Sequence, residues 1–362
     1  MRRIALRRRC VPVFFATALA LAGAVALAHA ARADVFCVTN VAELDEAFDE
    51  AGLVKQADIR VASGSYLLVT TLAHHPDPGL AYSELTFSGG WDSTCQHQTR
   101  GAALTVLDGH GDHGASLRDE QWVRLDNLTL RSFGAFVIQA EKGHPDPARI
   151  YVRNLAVVRS AGFRVEGDLD MDCDPERVRV WIASSLFVQG SESPAIEVTA
   201  CGGEVELNQV TVAANPGLGV LLHSTGRDYG STFHLGVFNS IFWGNQRPLS
   251  LTTDGGAPGD TIAMMSFDGN VGQDFWSDFA SELLLGESNH AGDPHLGADF
   301  RPLLGSPAID VGATPNELWG MGFIADRDRS LQASDFDLDG RNRFLGPRPD
   351  AGAFEQSPRC GH

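Results

Sequence analysis

Five short segments in the middle of the chain share one alternation of polar and apolar positions. They are Asp126-Asn127-Leu128-Thr129-Leu130, Arg153-Asn154-Leu155-Ala156-Val157, Ser184-Ser185-Leu186-Phe187-Val188, Asn208-Gln209-Val210-Thr211-Val212 and Asn239-Ser240-Ile241-Phe242-Trp243. Their third positions are Leu128, Leu155, Leu186, Val210 and Ile241, and Ser266-Phe267 continues the series. The intervals are uneven, yet all lie within the roughly 20–50 residues that mark solenoid repeats. A second apolar stretch follows each after a short turn, at residues 135–138, 162–165, 195–198, 219–222 and 248–251. Short β-rich runs bounded by Gly, Asn, Ser and Pro read as strands. One strand-turn-strand unit cannot bury its apolar side, whereas stacked units share a core and pair their strands in parallel. The pattern predicts an all-β parallel β-helix. No helical period runs between the strands, which argues against a doubly wound α/β sheet. A β-sandwich would place hairpin signals about every 8–12 residues instead of at a coil-sized period.

The N-terminal end of the stack carries a different pattern. Residues 41–48 have apolar positions at helical spacing after Asn40, a predicted N-cap, and a short helix there would cover the open first coil. Strands are expected at 58–61 and 85–87, with 102–107 as the next rung, where Val106 precedes Leu128 by about one coil. The expected organisation is a cap over 34–58, coils over 59–285 and a closing region over 286–362.

Residues 1–33 combine Arg2, Arg3, Arg7, Arg8 and Arg9 with an apolar run from Val11 to Leu27 and small residues around Ala28-His29-Ala30 and Ala31-Arg32-Ala33. This is the pattern of a secretory signal peptide cut after Ala33, and the apolar run is shorter than the roughly 20 residues a membrane span needs. The expected location is therefore extracellular, periplasmic or at the outer cell surface, with no membrane span in the mature chain. Removing those residues takes away six arginines, leaving 22 basic against 46 acidic side chains and a net charge of about −24. Such a surface excludes nucleic acid and disfavours polyanions unless a cation bridges them. Lys55 and Lys142 are the only lysines. Export permits disulfides among Cys37, Cys95, Cys173, Cys201 and Cys360. The expected pairs are Cys37 with Cys95 and Cys173 with Cys201.

Residues 59–66, Ile-Arg-Val-Ala-Ser-Gly-Ser-Tyr, resemble the opening strand and turn of pectin-lyase-like β-helix proteins, and Asn239-Ser240-Ile241-Phe242-Trp243-Gly244-Asn245 resembles their coil signature. Gly305-Ser306-Pro307-Ala308-Ile309-Asp310, Asp337-Leu338-Asp339-Gly340-Arg341 and Asp350-Ala351-Gly352-Ala353-Phe354-Glu355 follow in order. Together they resemble the choice-of-anchor Q region that ends many bacterial right-handed β-helix repeat proteins. The resemblance covers roughly 37–355 and implies a right-handed coil, a C-terminal closing region and a surface location. It also raises polysaccharide cleavage, because many pectin-lyase-like enzymes act in grooves along the stack.

The candidate chemistry is sparse. Gly109-His110-Gly111 matches a tripeptide of polygalacturonases, but the partner carboxylates of that family are missing, and glycoside hydrolysis needs two. Asp108, His110, Asp112 and His113 read as a polar loop. Asp168, Asp170, Asp172 and Asp174 alternate, so an extended segment would set them on one face, where calcium is a reasonable counterion. Asp335, Asp337 and Asp339 before Gly340 match the first half of a calcium loop, although the twelfth position is Gly346. A Gly-terminated turn whose carboxylates cap backbone amides is the competing reading. Asn127 with Asn154, and Asn208 with Asn239, share repeat positions and read as stacked amide ladders. The tryptophans fall at no common repeat position. The resulting expectation is a surface β-helix platform for adhesion or for a polysaccharide or cell-surface glycan, without readable catalysis, with a polysaccharide lyase or glycoside hydrolase as the alternative.

Overall fold

A computed structural model describes residues 33–80, 83–140, 147–167, 178–225, 233–254, 262–273, 283–285, 288–314, 335–343 and 345–356. Its strands form two sheets of 17 and seven strands, paired in parallel throughout. Among the described residues, each of the seven coils between Gln56 and Thr253 carries three strands, one more than the sequence pattern predicts. The additional strand precedes each segment, as in the first half of Trp122–Arg131 and Ala148–Val158 and in Val178–Ala183, Gly203–Asn208 and Phe233–Phe238. Only one residue with positive φ, such as Asn127 (63°) or Asn154 (50°), separates it from the next strand. No Gly or Pro marks that corner in these two coils, so the pattern reads through it.

We call the strands before this corner the first face, those after it the second, and those of the seven-stranded sheet the third. Along the first face Asp126, Arg153, Ala183, Asn208, Phe238 and Asp268 are in register from coil to coil. The expected alignment is one residue out in two coils, and Ser266-Phe267 does not continue the series, since Phe267 pairs with Val237 on the first face and Val271 is the partner of Ile241. Leu186 and Ile241 both pair with Thr211, so Ser185 and Ser240 share the inward position of Val210. Both serines are fully buried. Ser240 accepts the Val210 N–H at 3.1 Å and donates to the Phe238 carbonyl at 2.7 Å, and Ser185 does the same with Leu155 and Ala183. Apolar matching cannot detect an inward hydroxyl whose hydrogen bonds are met inside the coil. On the third face the expected stretches align as predicted, with Phe136, Phe163, Ile196, Val220 and Leu249 in one row.

The interior is apolar and continuous from Val38 to Phe267. Phe136 stacks on Phe163 at 5.8 Å, and Phe133 and Phe187 extend the row. The expected Asn208 and Asn239 meet, with Asn239 Nδ2 donating to Asn208 Oδ1 at 3.5 Å, and a longer amide ladder runs at another position. Asn215 donates to Asn245 Oδ1 from its backbone (3.3 Å) and its side chain (2.9 Å), and the Asn245 N–H donates to Gln273 Oε1 at 3.1 Å. Asn127 instead holds Gly89, Thr99 and Gly101, while Asn239 holds both backbone groups of Ala313. Asn208 is in register with Phe238, one position away from Asn239.

The helix covers Val41–Ala51, and Asn40 accepts the N–H groups of Ala42 and Glu43, each at 3.1 Å. Leu44, Ala47, Phe48 and Ala51 face the core, where Phe48 meets Phe87 edge-on at 5.1 Å. The preceding strand Asp34–Val38 pairs with Gln56–Ala62, so the stack begins ahead of the helix. Cys37 and Cys95 form the expected disulfide, with Cα atoms 5.7 Å apart. His290–Ala291 pairs with Val271–Gly272 and continues the second face, and residues 293–314 and 335–356 lie along its outer side. Leu338, Ala353 and Phe354 pack on Ala156, Leu186, Val188 and Ala213, while Ala308 and Ala351 pack on Ile241 and Val271. This explains why Leu186–Val188 and Thr211–Ala213 are buried on both sides.

Candidate functional site

The outward side of the first face is the part of the stack that combines aromatic rings with unpaired charge. Strand alternation sends Val123, Leu125, Ile150, Val152, Val180, Ile182, Val205 and Leu207 into the core. The residues between them, Trp122, Arg124, Arg149, Tyr151, Arg179, Trp181, Glu204 and Glu206, therefore face out. Coil-to-coil register turns them into columns. Arg124, Tyr151, Trp181, Glu206 and Gly236 follow one another, beside Trp122, Arg149, Arg179, Glu204 and His234. Tyr151 and Trp181 stack at 4.7 Å with an 8° interplanar angle, and Trp122 meets Tyr151 at 5.6 Å. Tyr151 is buried between them, so solvent meets mainly the edges of this ladder.

This face concentrates arginines in a chain whose net charge is −18. Four arginines surround the ladder. Arg153 is held by both oxygens of Asp126, and Arg179 lies 3.8 Å from Glu204. Arg124 and Arg149 are half-buried, and among the described residues neither is hydrogen-bonded to an acceptor. Arg149 lies over the Trp122 ring at 5.7 Å, and the Arg124 Nε is shielded from solvent. A half-buried guanidinium without a carboxylate keeps most of its donors available to an anion.

Glu206, like Asp126 and Asp268, is a buried acid of the face, 7% exposed, and has no hydrogen bond to its carboxyl among the described residues. Burial, with the Glu204 charge two residues away on the same side, pushes it up to about 8. It is therefore a neutral carboxylic acid below that pH. The next coil presents Gly236, which has no side chain, at this position.

The residues singled out in the sequence lie elsewhere. Asp168, Asp170, Asp172 and Asp174 fall outside the described residues, as do Cys173 and residues 1–32. Cys201 is buried and disulfide-bonded. Asp335, Asp337 and Asp339 do not converge. Asp335 is exposed, and Asp337 is fully buried and accepts the N–H groups of Asp339, Arg341 and Glu355. Asp339 makes a bidentate pair with Arg301 at 2.5 and 2.6 Å. Among the described residues no three His, Cys, Asp or Glu side chains are grouped to hold a metal ion. Asp108 pairs with Arg131 and caps His110, which sits exposed in a turn at φ 54°.

The Arg-aromatic face escaped the sequence reading because Trp122 and Trp181 stand at different positions within their coils. A tyrosine at the intervening coil joins them. Recognising the additional strand in each coil would have aligned Arg124, Tyr151, Trp181 and Glu206. Compared with known proteins, the chain matches no family model, and no curated protein or solved structure matches it significantly. No helix among the described residues is long and apolar enough to cross a membrane.

Proposed function

We propose that this chain is an exported right-handed parallel β-helix of the pectin-lyase-like type that binds an acidic glycan along its first face. A right-handed coil follows from the strong preference of parallel crossovers for that hand, about 98%. The Cys37–Cys95 disulfide and the N-terminal pattern support export. The segment along the second face is proposed as the choice-of-anchor Q region, which associates the role with the cell surface.

The observation that carries the ligand class is the pair Arg124 and Arg149, which lack hydrogen-bonded acceptors among the described residues and stand beside Trp122, Tyr151 and Trp181. Uronate or sulfate groups spaced along a polysaccharide supply the missing acceptors, and aromatic edges and the half-exposed indoles supply apolar contact for sugar C–H groups. Neutral glycans would leave both guanidinium groups unused. The test is affinity electrophoresis of the purified protein in gels containing polygalacturonate, alginate, chondroitin sulfate or neutral dextran. Retardation by at least one acidic polymer, weakened by salt, with dextran inert, is expected. Replacing Arg124 and Arg149 together by Ala should lower affinity about tenfold or more, since each charge-assisted bond contributes about 1.5–3 kcal/mol. Equal retardation by dextran, or an unchanged double variant, overturns the reading.

A further inference from the structure

We infer that the first face selects a polysaccharide whose acidic sugars are separated by uncharged ones, and rejects a polymer with a carboxylate on every ring, because acids bracket its arginines. This rests on the binding reading above. The order of charges along the stack carries it. In one outward column Gln56, Glu84, Trp122, Arg149, Arg179 and Glu204 are in register from rung to rung. The column beside it runs Thr86, Arg124, Tyr151, Trp181 and Glu206. Acid therefore stands one rung before the arginines and one rung after them.

Trp122, Tyr151 and Trp181 belong to successive rungs and stack on one another, so a ligand that touches all three rings lies along the stack. Four rung spacings of about 4.8 Å separate Glu84 from Glu204, roughly 19 Å, so more than one sugar ring covers the face. The guanidinium groups open to an anion, those of Arg124 and Arg149, stand in the middle of that span, whereas Arg179 is engaged with Glu204 at 3.8 Å.

The two ends of the span suit uncharged rings. Glu84 is half-buried and accepts from the Gln56 amide at 2.9 Å, a neutral donor. At the other end Glu206 is buried without a hydrogen bond to its carboxyl among the described residues, and Gly236 on the following rung puts no side chain over it. Below a pH of about 8 that neutral carboxyl offers a donor and an acceptor, which a sugar hydroxyl or acetamido group matches. A carboxylate over Glu84 or Glu204 instead meets a like charge at a partly desolvated surface, and specificity comes from such a penalty as much as from the attraction at Arg124 and Arg149.

The experiment compares retardation in gels holding equal concentrations of uronate as hyaluronan, in which uronates alternate with uncharged N-acetylhexosamine, or as polygalacturonate, in which every ring is charged. Hyaluronan should retard the parent protein several-fold more strongly, although polygalacturonate has the higher charge density. Replacing Glu84, Glu204 and Glu206 together by Gln should raise affinity for polygalacturonate about tenfold and abolish the preference, with the thermal midpoint checking that the variant is folded. Where that midpoint is lost, the preference of the parent decides the matter. Polygalacturonate retarding the parent as strongly as hyaluronan, or a folded triple variant with unchanged preference, overturns the inference and leaves the binding reading standing. Absence of retardation by every acidic polymer overturns both.

Discussion

At the residue scale the protein keeps several ionisable groups protonated inside the fold. His74 and Glu120 are almost fully buried, with His74 Nε2 at 3.0 Å from Glu120 and Nδ1 at 3.1 Å from the Phe48 carbonyl. Both ring nitrogens face acceptors, so the doubly protonated ring satisfies both, and its pKa is raised although burial alone would lower it. Burial likewise pushes Glu355 and Glu206 up to about 8. In all three the folded state holds its proton more tightly than the unfolded chain does. The associated stability is therefore complete below the unfolded pKa and lost as pH rises through the folded one. For the two glutamates that window runs from about 4.5 to about 8. Urea unfolding should give a stability that falls between pH 5 and pH 8, each group contributing a slope of up to about 1.4 kcal/mol per pH unit. Glu206→Gln should flatten the dependence by about one proton, and an unchanged slope would show that Glu206 titrates normally.

At the element scale, legibility followed physical periodicity. The third-face strands were aligned correctly because their inward residues are apolar in every coil, as at Phe136, Phe163, Ile196 and Val220. The helix was legible for the same reason, with Asn40 marking its start. Register slipped where an inward position is polar, at Ser185 and Ser240, and the first-face strand was missed where a single asparagine turns the corner. The candidate site was almost illegible, since its columns exist only after correct register is known. The Cys37–Cys95 pairing was legible and joins the first rung to the loop after Trp91, across a sequence separation of 58. Chain entropy assigns such a cross-link about 4 kcal/mol. Replacing Cys37 and Cys95 together by Ser should lower unfolding stability by roughly 2–4 kcal/mol, measured under non-reducing conditions against the parent. A loss below about 0.5 kcal/mol would mean that the packing of Phe48 on Phe87 alone fixes this end.

At the scale of the whole molecule, a plain solenoid has contacts only between neighbouring coils and unfolds with limited long-range cooperativity. The C-terminal segment adds contacts that skip coils. Leu338 accepts the Ala102 N–H, Thr211 accepts the Ala353 N–H, and Asn239 accepts those of Gly352 and Ala313. Arg343 fastens the segment between them. It is fully buried and donates to the carbonyls of Gly352 and Ala353 and to Ser184 Oγ, at 2.7, 2.8 and 3.0 Å. Burial lowers its pKa to about 10, so it remains charged at neutral pH beside Asp337, Asp350 and Glu355. Removing that cation leaves buried carboxyl groups uncompensated, a change that costs about 3–5 kcal/mol. Arg343→Met should therefore loosen the segment before the coils unfold and expose the apolar outer sides of Leu186–Val188 and Thr211–Ala213. Limited proteolysis should then cut within residues 335–356 while the coils resist. Dye binding to exposed apolar surface should rise, and the thermal transition should broaden as the coils lose their shared brace. A variant that unfolds in one sharp transition, with the C-terminal segment and the coils cut at the same rate, would show that coil-to-coil contacts alone hold the stack together.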